Sequence, residues 1–231
     1  MASWDRALSQ KRAYHLRELE IALDPSDPGH VSPPTIPPGR LILDVGCGAG
    51  QTLTAAYAGR PAFGVDIDLE ALQLAREFGC SALLVCGRAE ALPFRDTCFD
   101  LLIARSSLQY TNVRRSLSEI RRVLRKGGAA WMLVNGFSVV WNAPKGWRPK
   151  ASLYFSYVVV NSFLFRILGR QIPRVGGRYD TFHTAAGIRR ALVVAGFTQI
   201  SVEACIRKWR STGNSPASGS NNLWVVNARA P

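Results

Sequence analysis

The residues best placed to do chemistry lie in one short stretch. Leu41 to Thr52 read LILDVGCGAGQT, an apolar run around Asp44 followed by Gly46, Gly48 and Gly50 at every second position. An extended strand of Leu41, Ile42, Leu43 and Val45 that stops in glycines makes a turn whose backbone can meet a ligand without interference from a Cβ. The spacing differs from the GxGxxG turn, in which glycines and a helix N-terminus receive a pyrophosphate. An acid at the strand end would repel a phosphate, and it suits a ligand carrying an ammonium or sulfonium charge.

The elements that must position this turn follow in order. Residues 61 to 77, PAFGVDIDLEALQLARE, read as a second strand ending in Asp66 and then a helix with Leu69, Leu72 and Leu74 at helical spacing. Asp66 lies roughly 20 residues beyond the turn, where an acid at the tip of a neighbouring strand can accept both hydroxyls of a ribose. Asp68 is placed to cap the helix. Further on, Gly87-Arg88-Ala89-Glu90-Ala91-Leu92-Pro93-Phe94 precedes the strand from Phe99 to Ala104, and Glu119 to Lys126 lead into Gly127-Gly128. Strands and helices alternate to about residue 135, which implies a parallel sheet with helices on both faces and ligands at the carboxyl ends of its strands.

Taken together, these four segments resemble class I S-adenosylmethionine (SAM) dependent methyltransferases. Asp44-x-Gly46-x-Gly48-x-Gly50 is similar to that family's motif I, Asp66 to its ribose-binding acid, residues 87–94 to its GDAExLPF loop, and residues 119–128 to its helix and Gly-Gly turn before the fifth strand. The resemblance implies a Rossmann-like, doubly wound α/β fold: a mostly parallel seven-stranded sheet with an antiparallel last strand. It implies SAM as cofactor and S-adenosylhomocysteine (SAH) as product. The cofactor-binding residues would be Asp44, Gly46, Cys47, Gly48, Gly50 and Asp66, with Ile67 as an apolar wall and Ala89 and Glu90 in the adenine loop. Arg105 would lie near the methionine part and Tyr110 near the acceptor. Tyr14 sits on an N-terminal helix that in many relatives closes over the cofactor. Arg88 departs from the pattern, because a guanidinium has no acceptor for the adenine amino group where relatives carry an Asp.

Composition bounds the rest. The chain has 231 residues and a formal charge of +13, with five cysteines that show no metal-ligand spacing. We therefore expect no metal centre and reduced thiols, in a cytoplasmic protein without an apolar leader. The charge is uneven: residues 1–135 hold 16 Lys and Arg against 14 Asp and Glu, whereas residues 136–231 hold 13 against 2. The second half either carries a solvated arginine-rich surface or meets something anionic, such as nucleic acid, lipid head groups or an acidic substrate.

The organisation expected is an N-terminal helix and Pro-rich linker over residues 1–39 that covers the cofactor, a SAM-binding core over 40–135, a mainly helical insertion over 136–182, and a closing helix and β-hairpin over 183–231. The insertion contains LYFSYVVVNSFLFRIL, edged by basic residues. Its polar residues argue against a membrane span. Three readings stand: a lid over the acceptor, a dimer contact, and an interfacial lipid-facing helix over residues 151–168.

Methyl transfer needs little beyond positioning, and a base matters chiefly for acceptors that lose a proton. His183 and Tyr110 are the candidate catalytic residues, and Trp141, Trp147 and Trp209 are candidates for an aromatic acceptor wall. The [DNS]PP[YF] motif of amino-methylating enzymes is absent. The expected function is methyl transfer to a small, apolar or aromatic acceptor, anionic or lipidic in some versions, by a monomer or homodimer. The alternatives are an RNA methyltransferase using the basic half, and a non-catalytic binding protein of the same fold.

Overall fold

Strands covered on both faces read as unbroken apolar runs, and β1 (Ile42–Val45) is one, with all four residues buried. The structure, a computed structural model, describes residues 2–137, 149–174, 176–209 and 219–231. Around β1 the chain builds α1 (Ala2–Leu23), α2 (Gln51–Ala56), β2 (Ala62–Asp66), α3 (Leu69–Glu77), β3 (Leu83–Cys86) and β4 (Phe99–Arg105). A 3-10 turn (Leu108–Tyr110), α4 (Val113–Val123), β5 (Leu124–Asn135), α5 (Pro149–Leu168), α6 (Ala185–Val194), β6 (Thr198–Trp209) and β7 (Gly219–Arg229) complete it.

The seven strands form one sheet in the order β3-β2-β1-β4-β5-β7-β6. Neighbours from β3 through β5 pair in parallel, and β7 runs antiparallel to both β5 and β6. This is the doubly wound sheet with an antiparallel last strand that the sequence implies. Leu53, Leu72 and Leu74 from α2 and α3, with Tyr57 just after α2, pack under one face against Ile42, Leu101 and Ile103. Leu117, Ile120, Ile188 and Leu192 from α4 and α6 cover the other, with Phe165 of α5. The chain leaves β1 toward β2 on one side and later enters β4 on the other. That reversal opens a crevice at the carboxyl ends of β1 and β4, the usual ligand position in open α/β sheets.

Some local expectations shift. Leu69, read as part of the buried face of α3, is 58% exposed at the helix start, while Leu72 and Leu74 are buried. Gly127 and Gly128 lie inside β5 and not ahead of it, and the register on β4 jumps between Phe99 and Leu101 at this point. Gly127 takes the left-handed conformation that the irregularity needs. Trp141 and Trp147 and the connection between β6 and β7 over residues 210–218 lie outside the described residues, as does the side chain of Trp209.

Candidate cofactor site

The turn after β1 is built from its glycines. Gly46, Gly48 and Gly50 all have positive φ, at 75°, 54° and 70°. A Cβ on Gly46 would sit 2.2 Å from the Cβ of Ser107, and one on Gly50 would sit 2.7 Å from Cys80 Sγ. The first glycine thus lets the β1 and β4 loops meet; the third lets the turn press into the core. Ser107 Oγ donates to Val45 O at 2.6 Å, joining the two loops.

Asp66 organises the same turn from β2. Its Oδ2 accepts from Gly48 N at 2.7 Å and its Oδ1 from Asp68 N at 2.9 Å. Each carboxylate oxygen has a second lone-pair direction left for a hydroxyl. Asp68 caps α3 as expected, accepting from Glu70 and Ala71.

A cavity of about 430 Å³ lies at the carboxyl ends of β1, β2 and β4. Asp44, Gly46, Cys47 and Gly48 line it from the first turn, Asp66 and Ile67 from the second, and Ala89 and Glu90 from the third loop. Arg105, Tyr110 and Tyr14 line it too. The structure therefore brings together every residue assigned to the cofactor except Gly50, which supports the turn from behind. His183 is not among the lining residues.

Asp44 is buried and its Oδ1 has no hydrogen-bond partner. Burial raises its pKa to about 7, assisted by the charge of Asp66 and opposed by the guanidinium of Arg105. An acceptor without a donor, on a residue that lines the cavity, fits a ligand that brings one, and an ammonium brings three. Asp44, Asp66 and Glu90 together favour a cationic ligand with ribose-like hydroxyls over a phosphate.

His15, next to Tyr14 on the N-terminal helix expected to cover the cofactor, lines the cavity as well, and so do residues that carry no such signal in the sequence. His15 is buried on α1, with Nδ1 2.8 Å from Gln51 Nε2; desolvation lowers its pKa. Lys11 pairs with Asp68 and Glu70 at 2.6 Å, and Arg12 with Glu77, so α1 is tied across the mouth by its charges. Gly176, Gly177 and Arg178 line the cavity from the loop after α5. The Gly-Gly pair is the available signal there, because consecutive glycines mark a turn close to something.

That loop is firmly held. Asp180 is buried and accepts from Arg174 at 3.0 Å and Arg178 at 2.9 Å. The Arg178 guanidinium lies over the Tyr110 ring, 4.0 Å from its centroid. Tyr179 N and Thr181 N donate to Tyr110 O and Gln109 O. Arg88 faces this loop: Nη2 donates to Gly177 O at 3.3 Å, and Nε lies 3.7 Å from Glu90. Glu90 also accepts from Asn112 N at the start of α4.

His183, by contrast, is packed. It is 2% exposed, its ring is edge-on to Phe165, and its Nε2 is 3.4 Å from Thr181 Oγ1. Desolvation lowers its pKa to about 4, so it is neutral at pH 7.

A doubly wound sheet that ends three strand loops on one acid-lined cavity is the arrangement that the resemblance to class I SAM-dependent methyltransferases implies. Comparison with known proteins agrees. Residues 43–132 match the family model described as a methyltransferase domain. An uncharacterized protein of Methanocaldococcus jannaschii is 33% identical over 105 residues, 45% of this chain and 40% of that one. The malonyl-[acyl-carrier protein] O-methyltransferase of Methylococcus capsulatus is 32% identical over 148 residues, 61% of this chain and 52% of that one. A SAM-dependent methyltransferase structure from Methanosarcina mazei superposes with a TM-score of 0.57 at 21% identity, covering 84% of this chain and 93% of that one. The chain spans about half the length, or less, of these curated relatives. Residues 43–132 thus carry a methyltransferase domain, and the fold is that of SAM-dependent methyltransferase structures.

Proposed function

We propose that the chain binds SAM in the cavity between α1 and the β1, β2 and β4 loops and transfers its methyl group to a small acceptor. The observation that carries this reading is the buried, unpartnered carboxylate oxygen of Asp44 in a cavity that Asp66 and Glu90 also line. In this reading Asp44 receives the amino acid end, Asp66 the ribose, and Ile67 with Ala89 the adenine. SAM supplies a methyl group on a sulfonium, a leaving group that needs no further activation. The protein's share of the work is then to hold the acceptor in line and keep water out.

The acceptor enters under the loop of Gly176 to Arg178, beside Tyr14 and Tyr110. Two phenol rings and the stacked Arg178 favour a flat or apolar acceptor that carries an anionic group. The position of His183 opposes its use as a base. Tyr110, held by Arg178, contributes to the acceptor wall. Calorimetry with SAM and SAH tests the cofactor half of this proposal: micromolar binding of both supports it, and failure of both to bind at millimolar concentration overturns it. Label transfer from methyl-labelled SAM to a panel of phenolic and carboxylic acceptors, with RNA as a parallel arm, tests the acceptor half. Transfer to RNA alone would refute the small-acceptor reading.

A further inference from the structure

A surface helix of a soluble domain normally turns its apolar stripe inward and its polar residues outward, whereas α5 also carries an apolar stripe on its outer side. Leu153, Val160, Phe163 and Ile167 recur along one side of it and are 74%, 53%, 51% and 66% exposed. The opposite side is buried and carries Asn161 and Ser162 alongside Val158 and Phe165. Those two polar residues hold the loop that covers the cavity. Asn161 accepts from Ile172 N at 2.7 Å and donates to Asp180 O at 3.3 Å, and Ser162 Oγ accepts from Phe182 N at 2.9 Å.

The apolar surface continues past the helix. Leu168 and Ile172 are exposed, as are Val193 and Val194 at the end of α6. Between them lies a cavity of about 100 Å³, lined by Arg114, Arg166 and Arg190 together with Ile167, Leu168 and Val194. Among the described residues none of these three arginines pairs with a carboxylate. Of the two acids in residues 136–231, Asp180 is buried beneath Arg174 and Arg178. This side is thus apolar along its crest and cationic at its edge.

We infer that the outer face of α5, with the arginine-lined hollow beside it, docks onto an anionic lipid bilayer surface. Hydrocarbon covers an outward apolar stripe at no cost in hydrogen bonds, and lipid phosphates match the three uncommitted guanidinium groups. No helix among the described residues is long and apolar enough to cross a membrane, so α5 lies in the interface and does not span it. Docking would set the cavity-covering loop, held by Asn161 and Ser162, next to the bilayer. The inference stands on the surface alone and does not depend on methyl transfer.

The test is co-sedimentation of the full chain with vesicles of phosphatidylcholine, alone or with about one-third phosphatidylglycerol. Binding to the mixed vesicles that weakens with added salt is expected, with much weaker binding to phosphatidylcholine alone. Phe163→Glu with Ile167→Glu should remove it. Arg166→Glu with Arg190→Glu should weaken it about tenfold or more. All four positions lie at the surface or its edge, so thermal unfolding and SAH affinity should match the parent chain, which separates this test from that of the cofactor site. In a second measurement, Phe163→Trp should show blue-shifted fluorescence on the mixed vesicles. No binding to the mixed vesicles at low salt, or unchanged binding by both double variants, would overturn the inference. So would a dimer, seen by light scattering, that Phe163→Glu with Ile167→Glu splits while vesicles bind neither form, because a second copy then covers this face.

Discussion

Asp44→Asn separates the two things the buried carboxylate does. In the free protein it is a liability: burial raises its pKa from 3.8 to about 7. Because the folded pKa is raised, the folded state holds the proton more tightly than the unfolded chain, and stability falls as pH rises between those two values. Each tenfold difference in proton affinity corresponds to about 1.4 kcal/mol, so the full penalty above pH 7 approaches about 4 kcal/mol. At pH 5 the same linkage leaves a penalty of about 1.5 to 2 kcal/mol, and at pH 8 nearly all of it. Asparagine has a similar shape and no charge. The variant should therefore gain about 2 to 3 kcal/mol over the parent chain between pH 5 and pH 8.

Urea unfolding of both chains at the two pH values, without ligand, measures that difference. The parallel measurement is SAH affinity by calorimetry. At pH 8 the variant should bind about 10- to 100-fold more weakly, because a charge-assisted hydrogen bond to the ligand ammonium is lost. The parent's affinity should fall as pH drops through 7, and the variant's should not. An unchanged stability difference between pH 5 and pH 8 would show that Asp44 does not titrate there. A variant that binds SAH as well as the parent at pH 8 would remove Asp44 from the ammonium site.

Asp66→Ala should weaken SAH binding by about 100-fold or more in calorimetry, since it removes both the ribose acceptor and the bond from Gly48 N that shapes the turn; unchanged affinity would sink the assignment. Gly46→Ala should destabilise the fold by at least about 2 kcal/mol in urea unfolding, because φ is 75° and the new Cβ would meet Ser107. His183 has its pKa depressed from 6.5 to about 4, so its contribution is intact above pH 6.5 and is lost as pH falls toward 4, about 3 kcal/mol in all. His183→Leu should flatten that acid limb in pH-dependent unfolding and leave SAH affinity unchanged.

The cofactor half is legible in the sequence because its signals are local. An apolar run, an acid at a strand end and glycines at fixed offsets each reflect one strand and the turn that follows it, and pairing those strands in parallel then forces their ends together. Gly50 misleads for the same local reason: its spacing matches the other two glycines, but only the packed core shows that it faces Cys80 and not the cavity. His183 could not be placed from sequence, because proximity to an insertion says nothing about which way a ring points. The wrapping of Gly176 to Arg178 over the cavity depends on Asp180, Asn161 and Gln109, residues spread across three elements with no common spacing.

Arg88 shows how a departure from a motif gains meaning only in three dimensions. In isolation it removes an acceptor from the adenine loop. In the fold its guanidinium lies between Glu90 and the carbonyl of Gly177, linking the loop of residues 87–94 to the loop that covers the cavity. Both contacts are long and its side chain is half exposed, so the link adds little stability. The strong contacts lie one step back, where Asp180 holds Arg174 and Arg178 and where Glu119 and Arg122 hold Leu92. The covering loop is thus joined lightly to residues 87–94 and firmly to Gln109 and Tyr110 after β4 and, through Asn161 and Ser162, to α5.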